Sequence, residues 1–402
     1  MSRFLEVIDV PGAVATAVRI APDPMPEEIP AEQAPGRVLC EDVMANADIP
    51  GFDRSIVDGY AVRADDTAGS GDAAPVLLRL TGRVSMGEHE QGLDVAPGTC
   101  VYVPTGGVLP AGAEAVVMVE QTDMVSDTVL VKRPVVHGEN VLLHDEDYRR
   151  GAVILKKGHR ISPRDAGVLA ACGQATIAVA KKPVIGILST GNELVPVTAT
   201  PGPGQVRDAN ASMLAAWLSA YGCIPRCYGI VRDEKDAFEA ALSKALPGCD
   251  AILLSGGSSK DDRDMTAGVI AGQGEVLVHG VTIAPGKPTI IGRIGKTPVF
   301  GLPGHPASAL VVLLIIVRPL LAHMLGEEKA ALKTTTATLG SNIVSQKGRE
   351  EYVRVKLTGG IAHPLFGKAG LLNTLVESDG LVRVLAGEEG LEQGSTVEVI
   401  LW

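Results

Sequence analysis

From Lys182 to about position 325, short apolar runs alternate with helix-length amphipathic stretches, and this alternation leaves few folds open. Residues 183–189 (PVIGILS), 226–231 and 250–255 have the length and apolar continuity of strands buried on both faces. Between them, the stretch after Asp208 places Met213, Leu214, Trp217, Leu218 and Tyr221 on one face and stops at Gly222. Residues 234–246 likewise align Phe238, Leu242 and Ala245. Strands joined through helices run parallel with right-handed crossovers, so this part reads as an α/β unit with a mostly parallel sheet between two helical layers.

In such a sheet ligands bind beyond the carboxyl ends of the strands. Three strands deliver polar loops there: Thr190-Gly191-Asn192-Glu193, then Asp233, then the end of DAILLSGGSSKDDRD (250–264). In the last loop, Gly256 and Gly257 let the backbone approach a ligand, and successive N–H groups can cradle an anion. Ser255, Ser258, Ser259, Lys260, Asp261, Asp262 and Asp264 surround them, a set able to hold a phosphate together with a divalent cation. Downstream, Pro285-Gly286-Lys287-Pro288 precedes a strand at 289–291. GLPGHP (301–306) then opens a helix from Pro306 to about 325, which makes Pro303, Gly304, His305 and Pro306 a glycine loop at a helix N-terminus, a natural anion site.

A chain of 402 residues exceeds one ordinary core. Prolines 22, 24, 26, 30 and 35 mark an extended N-terminal connection. Residues 51–143 read as short β segments, with Asp58-Gly59 inside FDRSIVDGYAV and Thr105-Gly106-Gly107 inside YVPTGGVLPAGAEAVVMVE. HDEDYRRG (144–151) carries Asp147, and a helix capped by Ser162, with Pro163 in its first turn, ends at Gly173. Residues 330–402 alternate with period two (EYVRVKL, STVEVILW) as a small β barrel or sheet that carries no obvious chemistry.

A net charge of −11 argues against nonspecific nucleic-acid binding, so any anion must be captured locally. Six scattered cysteines and no secretory signal suit reduced thiols in the cytoplasm. Cys223 and Cys227 lack a second pair at zinc-ligand spacing. The apolar run 307–317 stops at Arg318, short of the ~20 residues needed to cross a bilayer, and reads as a buried helix rather than a membrane span.

FDRSIVDGYAV, PTGG with AEAVVMVE, EDYRRG, STGNEL, VRDE, SGGSS with its RD, PGKP and GLPGHPASA occur in an order that closely resembles the molybdopterin molybdenumtransferases, the family of bacterial MoeA and the gephyrin E domain. The resemblance runs from about residue 10 to the C-terminus. It implies four domains: a discontinuous domain I (1–45 and 144–180), an inserted β-rich domain II (46–143), a molybdopterin-binding α/β domain III (181–328) and a C-terminal β domain IV (329–402). It further implies that molybdate, or the nearly isosteric tungstate, is inserted into adenylylated molybdopterin with Mg²⁺ and release of AMP. The assembly would be a homodimer with a shared site, in which Asp58 and Thr105 face domain III of the partner, and it would make transient contacts with the adenylyltransferase and recipient apo-molybdoenzymes.

Carried onto matching positions, Asp58, Thr105, Asp147, Glu193, Asp233, Asp264 and Lys287 take catalytic roles. Glu193, Asp233 and Asp264 are the candidate metal ligands. The positions from Ser255 to Lys260, together with Pro285, Gly286, Pro303, Gly304, His305 and Pro306, hold the pterin nucleotide and oxyanion. The chain departs from many relatives at Lys260 and Asp261, at His305 where asparagine is common, and at Gly280 and Ala284, where lysines are common. Lys260 is a candidate replacement charge. Two other readings fit the motifs: a pterin-binding scaffold without turnover and a tungstate-inserting paralogue.

Overall fold

The computed structural model describes residues 7–87, 92–256, 260–328 and 332–402. The chain forms two compact units. One comprises Met1–Glu41, Lys157–Pro163 and Thr176–Trp402, and the other comprises Asp42–Lys156 and Arg164–Ala175.

The first unit is built on a six-stranded sheet in the order Ile224–Val231, Val184–Thr190, Ala251–Gly256, Thr297–Leu302, Ile290–Ile294, Glu275–His279. The first four strands are parallel, as the alternation requires, and the last two add antiparallel at one edge. Side chains alternate across the sheet. Ile185, Ile187, Leu253 and Phe300 pack with Leu214 and Leu218 of the helix Ala209–Tyr221 and with the helical run from Pro306. Leu188, Ile252 and Leu254 pack on the other face with Phe238 and Leu242 of the helix Lys235–Ala245 and with Val269 and Ile270 of the helix Lys260–Gln273. Each such side chain, fully buried, contributes roughly 1.5–3 kcal/mol of transfer free energy.

The Pro306 helix runs through Arg318 to Met324, nineteen residues that by length and composition could cross a membrane, but its most apolar window is 83% buried inside the protein. Arg318 does not end it: the side chain is buried and its Nε donates to the Leu314 carbonyl at 3.3 Å. The helix widens to a π-type turn at Leu313–Val317, just before Pro319, which lacks the N–H an α-turn would use.

Five strands of the C-terminal region, Thr334–Leu339, Glu350–Thr358, Ile361–Pro364, Gly380–Val384 and Thr396–Leu401, close into a barrel. Ile283–Ala284 joins it in parallel beside Glu350 and Glu351, which anchors the start of the PGKP loop to the barrel. Near the chain start, Pro26–Pro30 pairs antiparallel with Thr176–Ala180. Arg37 ties these strands together, meeting Glu27 and donating to the Ala180 carbonyl at 2.7 Å.

The second unit has its own six-stranded sheet in the order Ala115–Met118, Gly59–Val62, Thr99–Val103, Val76–Arg83, Thr128–Val131, Thr122–Val125. Its core includes Tyr60, Val62, Leu78, Cys100 and Val117.

Candidate functional site

The strand Val184–Thr190 and its neighbour Ile224–Val231 end side by side, and their loops are clasped together. Asp233 accepts the Thr190 hydroxyl at Oδ1 and the Asn192 N–H at Oδ2 (3.1 Å), and its own N–H reaches back to Asn192 Oδ1 (3.3 Å). Both oxygens of the Asp233 carboxylate are therefore already engaged. Glu193 is exposed, and its carboxylate folds over Gly191, whose φ of 155° leaves the backbone bare beneath it: a Cβ there would lie 2.7 Å from Glu193 Oε2. Beside this loop opens a cavity of about 770 Å³ lined by Leu194, Val197, Asp208, Ala215, Cys227 and Arg232 among others, within the size range of organic ligand sites.

On the next strand, Ser255 is 2% exposed and its Oγ accepts from Asn210 Nδ2 at 2.9 Å. The same Asn210 nitrogen donates to the Gly304 carbonyl at 2.8 Å. Gly256 has a φ of 135°, and a Cβ there would meet the Thr190 carbonyl oxygen at 1.9 Å, so only glycine lets this strand end lie against its neighbour. Gly257, Ser258 and Ser259 lie outside the described residues. Lys260 and Asp264 fall in the first turns of the helix Lys260–Gln273, and their side chains also lie outside the description.

Pro285 of PGKP and Ala307 in the first turn of the Pro306 helix reach a second, smaller cavity of about 240 Å³, lined also by Glu351, Arg354, Phe366 and Gly367 among others. Gly286, at φ 128°, packs under Val312, and its carbonyl accepts from the buried Thr289 hydroxyl at 2.7 Å, which fixes the loop. Lys287 is exposed, Pro303 is buried, and Gly304 and Pro306 are half-buried. His305 precedes the helix without a side-chain cap bond; its ring rests instead against Gly370.

Sequence reasoning assigned no chemistry to the C-terminal region, yet the structure puts Arg354 in this cavity's wall. Arg354 is 8% exposed; Nη2 donates to the Gly367 carbonyl at 2.9 Å, and Nη1 is buried without a partner. Burial pushes its guanidinium pKa down. Glu351 lines the same cavity but is held by the Ser345 hydroxyl at 2.7 Å and Arg349 at 3.7 Å. A buried guanidinium with an unused donor is costly unless an anion joins it. The signal in the sequence was a charged residue inside the alternating apolar run EYVRVKL.

Asp58, Thr105 and Asp147 belong to the other unit. There the Thr105 N–H and hydroxyl both donate to Asp58 Oδ1, at 2.7 and 3.1 Å, and Gly106 N–H donates to the Ser55 carbonyl, so DGYAV and PTGG are one knitted pair of loops. Asp147 is exposed, and its charge adds to the burial that raises the Cys172 thiol pKa.

Among the described residues no cluster of three or more His, Cys, Asp or Glu could form an all-protein metal cage. Glu193, exposed at one strand-end loop, offers one carboxylate beside Asp233, whose own two oxygens are held by Thr190 and Asn192. That is the donor set of a Mg²⁺ which takes its remaining ligands from water and substrate phosphates, so the residues fit that ion.

Three family models cover most of the chain: the MoeA N-terminal region (domain I and II) matches residues 8–173, a probable molybdopterin binding domain matches 186–323, and the MoeA C-terminal region (domain IV) matches 336–402. The molybdopterin molybdenumtransferase of Bacillus subtilis is 32% identical over 388 residues, covering 93% of this chain and 89% of the relative. That of Staphylococcus aureus is 30% identical over 376 residues, covering 92% and 90%. The crystal structure of a molybdopterin biosynthesis MoeA protein from Pyrococcus horikoshii superposes with a TM-score of 0.85 at 37% identity, covering 98% of this chain and 99% of that one. With strand-end loops, glycine turns and barrel all in the order that these matches span, the chain belongs to the MoeA family of molybdopterin molybdenumtransferases.

Proposed function

We propose that the protein inserts molybdate into adenylylated molybdopterin and releases AMP. The observation that carries this reading is Arg354: a buried cation with an unpartnered donor, in a 240 Å³ cavity, suits a small tetrahedral oxyanion and is too confined for an organic ligand. Molybdate as the small substrate sits against Arg354 and the N-terminus of the Pro306 helix. The pterin nucleotide lies over the strand ends, against Thr190–Glu193, Ser255 and Gly256, and part of it extends into the larger cavity beside Asn192.

Asp233 orients the 190–193 loop through its contacts with Thr190 and Asn192, while the unengaged Glu193 carboxylate is the group free to reach a cation. Held by Glu193, a Mg²⁺ would supply charge neutralisation for the phosphate oxygens of the phosphoanhydride. The backbone N–H of Gly256 adds a fixed dipole toward the same charge. Asp58, Thr105, Asp147 and Lys287 complete the proposed set, and the working form is a homodimer.

Anaerobic incubation of the purified protein with adenylylated molybdopterin, Mg²⁺ and either molybdate or tungstate tests this. AMP release that depends on the oxyanion, with reconstitution of a cofactor-free molybdoenzyme, is the expected result. Tight pterin binding with no oxyanion-dependent release would overturn the transfer reading.

A further inference from the structure

Ser189 and Ser255 are register partners on adjacent parallel strands. The alternation that sends Ile185, Ile187 and Leu253 toward Leu214 and Leu218 sends both serines to that same face, at its carboxyl end. Asn210 waits there in the first turn of the helix Ala209–Tyr221, 7% exposed. It does not serve as the helix cap, because Asp208 already accepts the Ala211 N–H at 3.0 Å. Its amide nitrogen instead joins two loops: one hydrogen goes to Ser255 Oγ at the end of the glycine-loop strand, the other to the Gly304 carbonyl inside GLPGHP.

The remaining polar atoms of this cluster are not optimised for stability. Asn210 Oδ1 and Ser189 Oγ are both buried without a partner. Orphaned buried groups are uncommon in proteins, and a position that carries two of them while keeping two well-formed donor bonds is arranged around those bonds.

From this geometry we infer that Asn210 is a positioning residue: it fixes the spacing between the strand-end loop after Ser255 and the loop at Gly304, and so the spacing between the pterin phosphate and the oxyanion. The inference rests on the reading given under Proposed function. A misplacement of about 1 Å between reacting groups lowers rates on the order of 100-fold without abolishing binding, which sets the expected signature.

The test uses Asn210→Asp, which keeps the size but loses the amide donors and turns a carboxylate oxygen toward the Gly304 carbonyl, beside Ser255→Ala, which removes only one arm. For Asn210→Asp, kcat for oxyanion-dependent AMP release should fall roughly 10- to 100-fold. The dissociation constant for AMP, measured calorimetrically without oxyanion, should shift by less than about threefold. Ser255→Ala should show a smaller loss in kcat, and the double variant should lose less than the product of the two single effects, as expected for groups in one network. An unchanged kcat, or a loss that only tracks the fraction of folded protein, would overturn the inference. If the wild-type protein releases no AMP, the transfer reading fails by itself and amide hydrogen exchange decides the positioning role. Asn210→Asp should then speed exchange at 304–308 about tenfold or more while leaving the helix Lys235–Ala245 unchanged, and equal exchange at 304–308 would sink it.

Discussion

Thr190, at the end of one strand, closes onto Asp233, beyond the end of the next, with its hydroxyl donating to the carboxylate that Asn192 also holds. A hydrogen bond to a charged acceptor contributes about 1.5–3 kcal/mol. Thr190→Val should therefore lower the melting temperature by a few degrees and loosen the 190–193 loop. Asp233→Asn should cost more stability, because its amide oxygen accepts only one of the two bonds, without the charge, and its NH₂ faces the other donor, and it should also weaken Mg²⁺-dependent AMP release. Thermal melts set beside a Mg²⁺ titration of the rate separate the two effects, and equal stability losses in both variants would contradict this division.

Arg354 gives a prediction of opposite signs. Replacing a buried, incompletely paired charge by an apolar side chain of similar length is often neutral or stabilising by about 1–4 kcal/mol. Arg354→Met should keep or raise the melting temperature while raising the apparent KM for molybdate at least about tenfold, since a charge-assisted contact is lost. Arg354→Met melting lower than wild type, with molybdate KM unchanged, would remove the oxyanion from this cavity.

Gly256 tolerates no side chain. With its φ of 135° and the Thr190 carbonyl 1.9 Å from where a Cβ would stand, Gly256→Ala must push the two strand ends apart. The strained backbone alone costs on the order of 1–3 kcal/mol. The variant should melt at a lower temperature and bind pterin nucleotide more weakly, and calorimetric titration with AMP reads the second effect directly.

Burial pushes the Cys223 thiol from an ordinary 9.0 up to about 12. Below pH 9 both folded and unfolded chains keep that proton, so the full contribution to stability is present. Between pH 9 and about 12 the unfolded chain loses the proton and the folded one retains it, so stability falls by about 1.4 kcal/mol per pH unit for each such thiol. Cys223→Ala should flatten the decline across that window, at a cavity cost of about 1 kcal/mol at neutral pH. Denaturant unfolding at pH 7, 9 and 11 measures both.

Much of the α/β unit was legible because its strands are buried on both faces and its helices carry clear stripes: Phe238 and Leu242 declare one inward face, Leu214 and Leu218 another. The loops were legible from their glycines and carboxylates. Partnership was not. Nothing local in VRDE says that Asp233 is held by Thr190, a contact made across neighbouring strands and forty-three positions of sequence. Asn210 at a helix start looks like any capping residue until Asp208 is seen to do the capping. Arg354 was hidden for a different reason: period-two alternation marks two faces of a strand without saying that both are covered, as they are from Tyr352 to Val355.

The pairing of Pro26–Pro30 with Thr176–Ala180 also bears on the order in which the chain assembles. Every residue of the second unit lies between those two strands, so until that unit has collapsed their ends are joined by a very long flexible loop. Closing such a loop carries an entropy cost that grows with its length, whereas strands inside the second unit pair across much shorter stretches of chain, Thr122–Val125 and Thr128–Val131 as a hairpin. The second unit should thus become compact first during refolding, shortening the loop before residues 26–30 find their partner. Pulse-labelled hydrogen exchange should show protection at residues 59–62 and 99–103 preceding protection at 176–180.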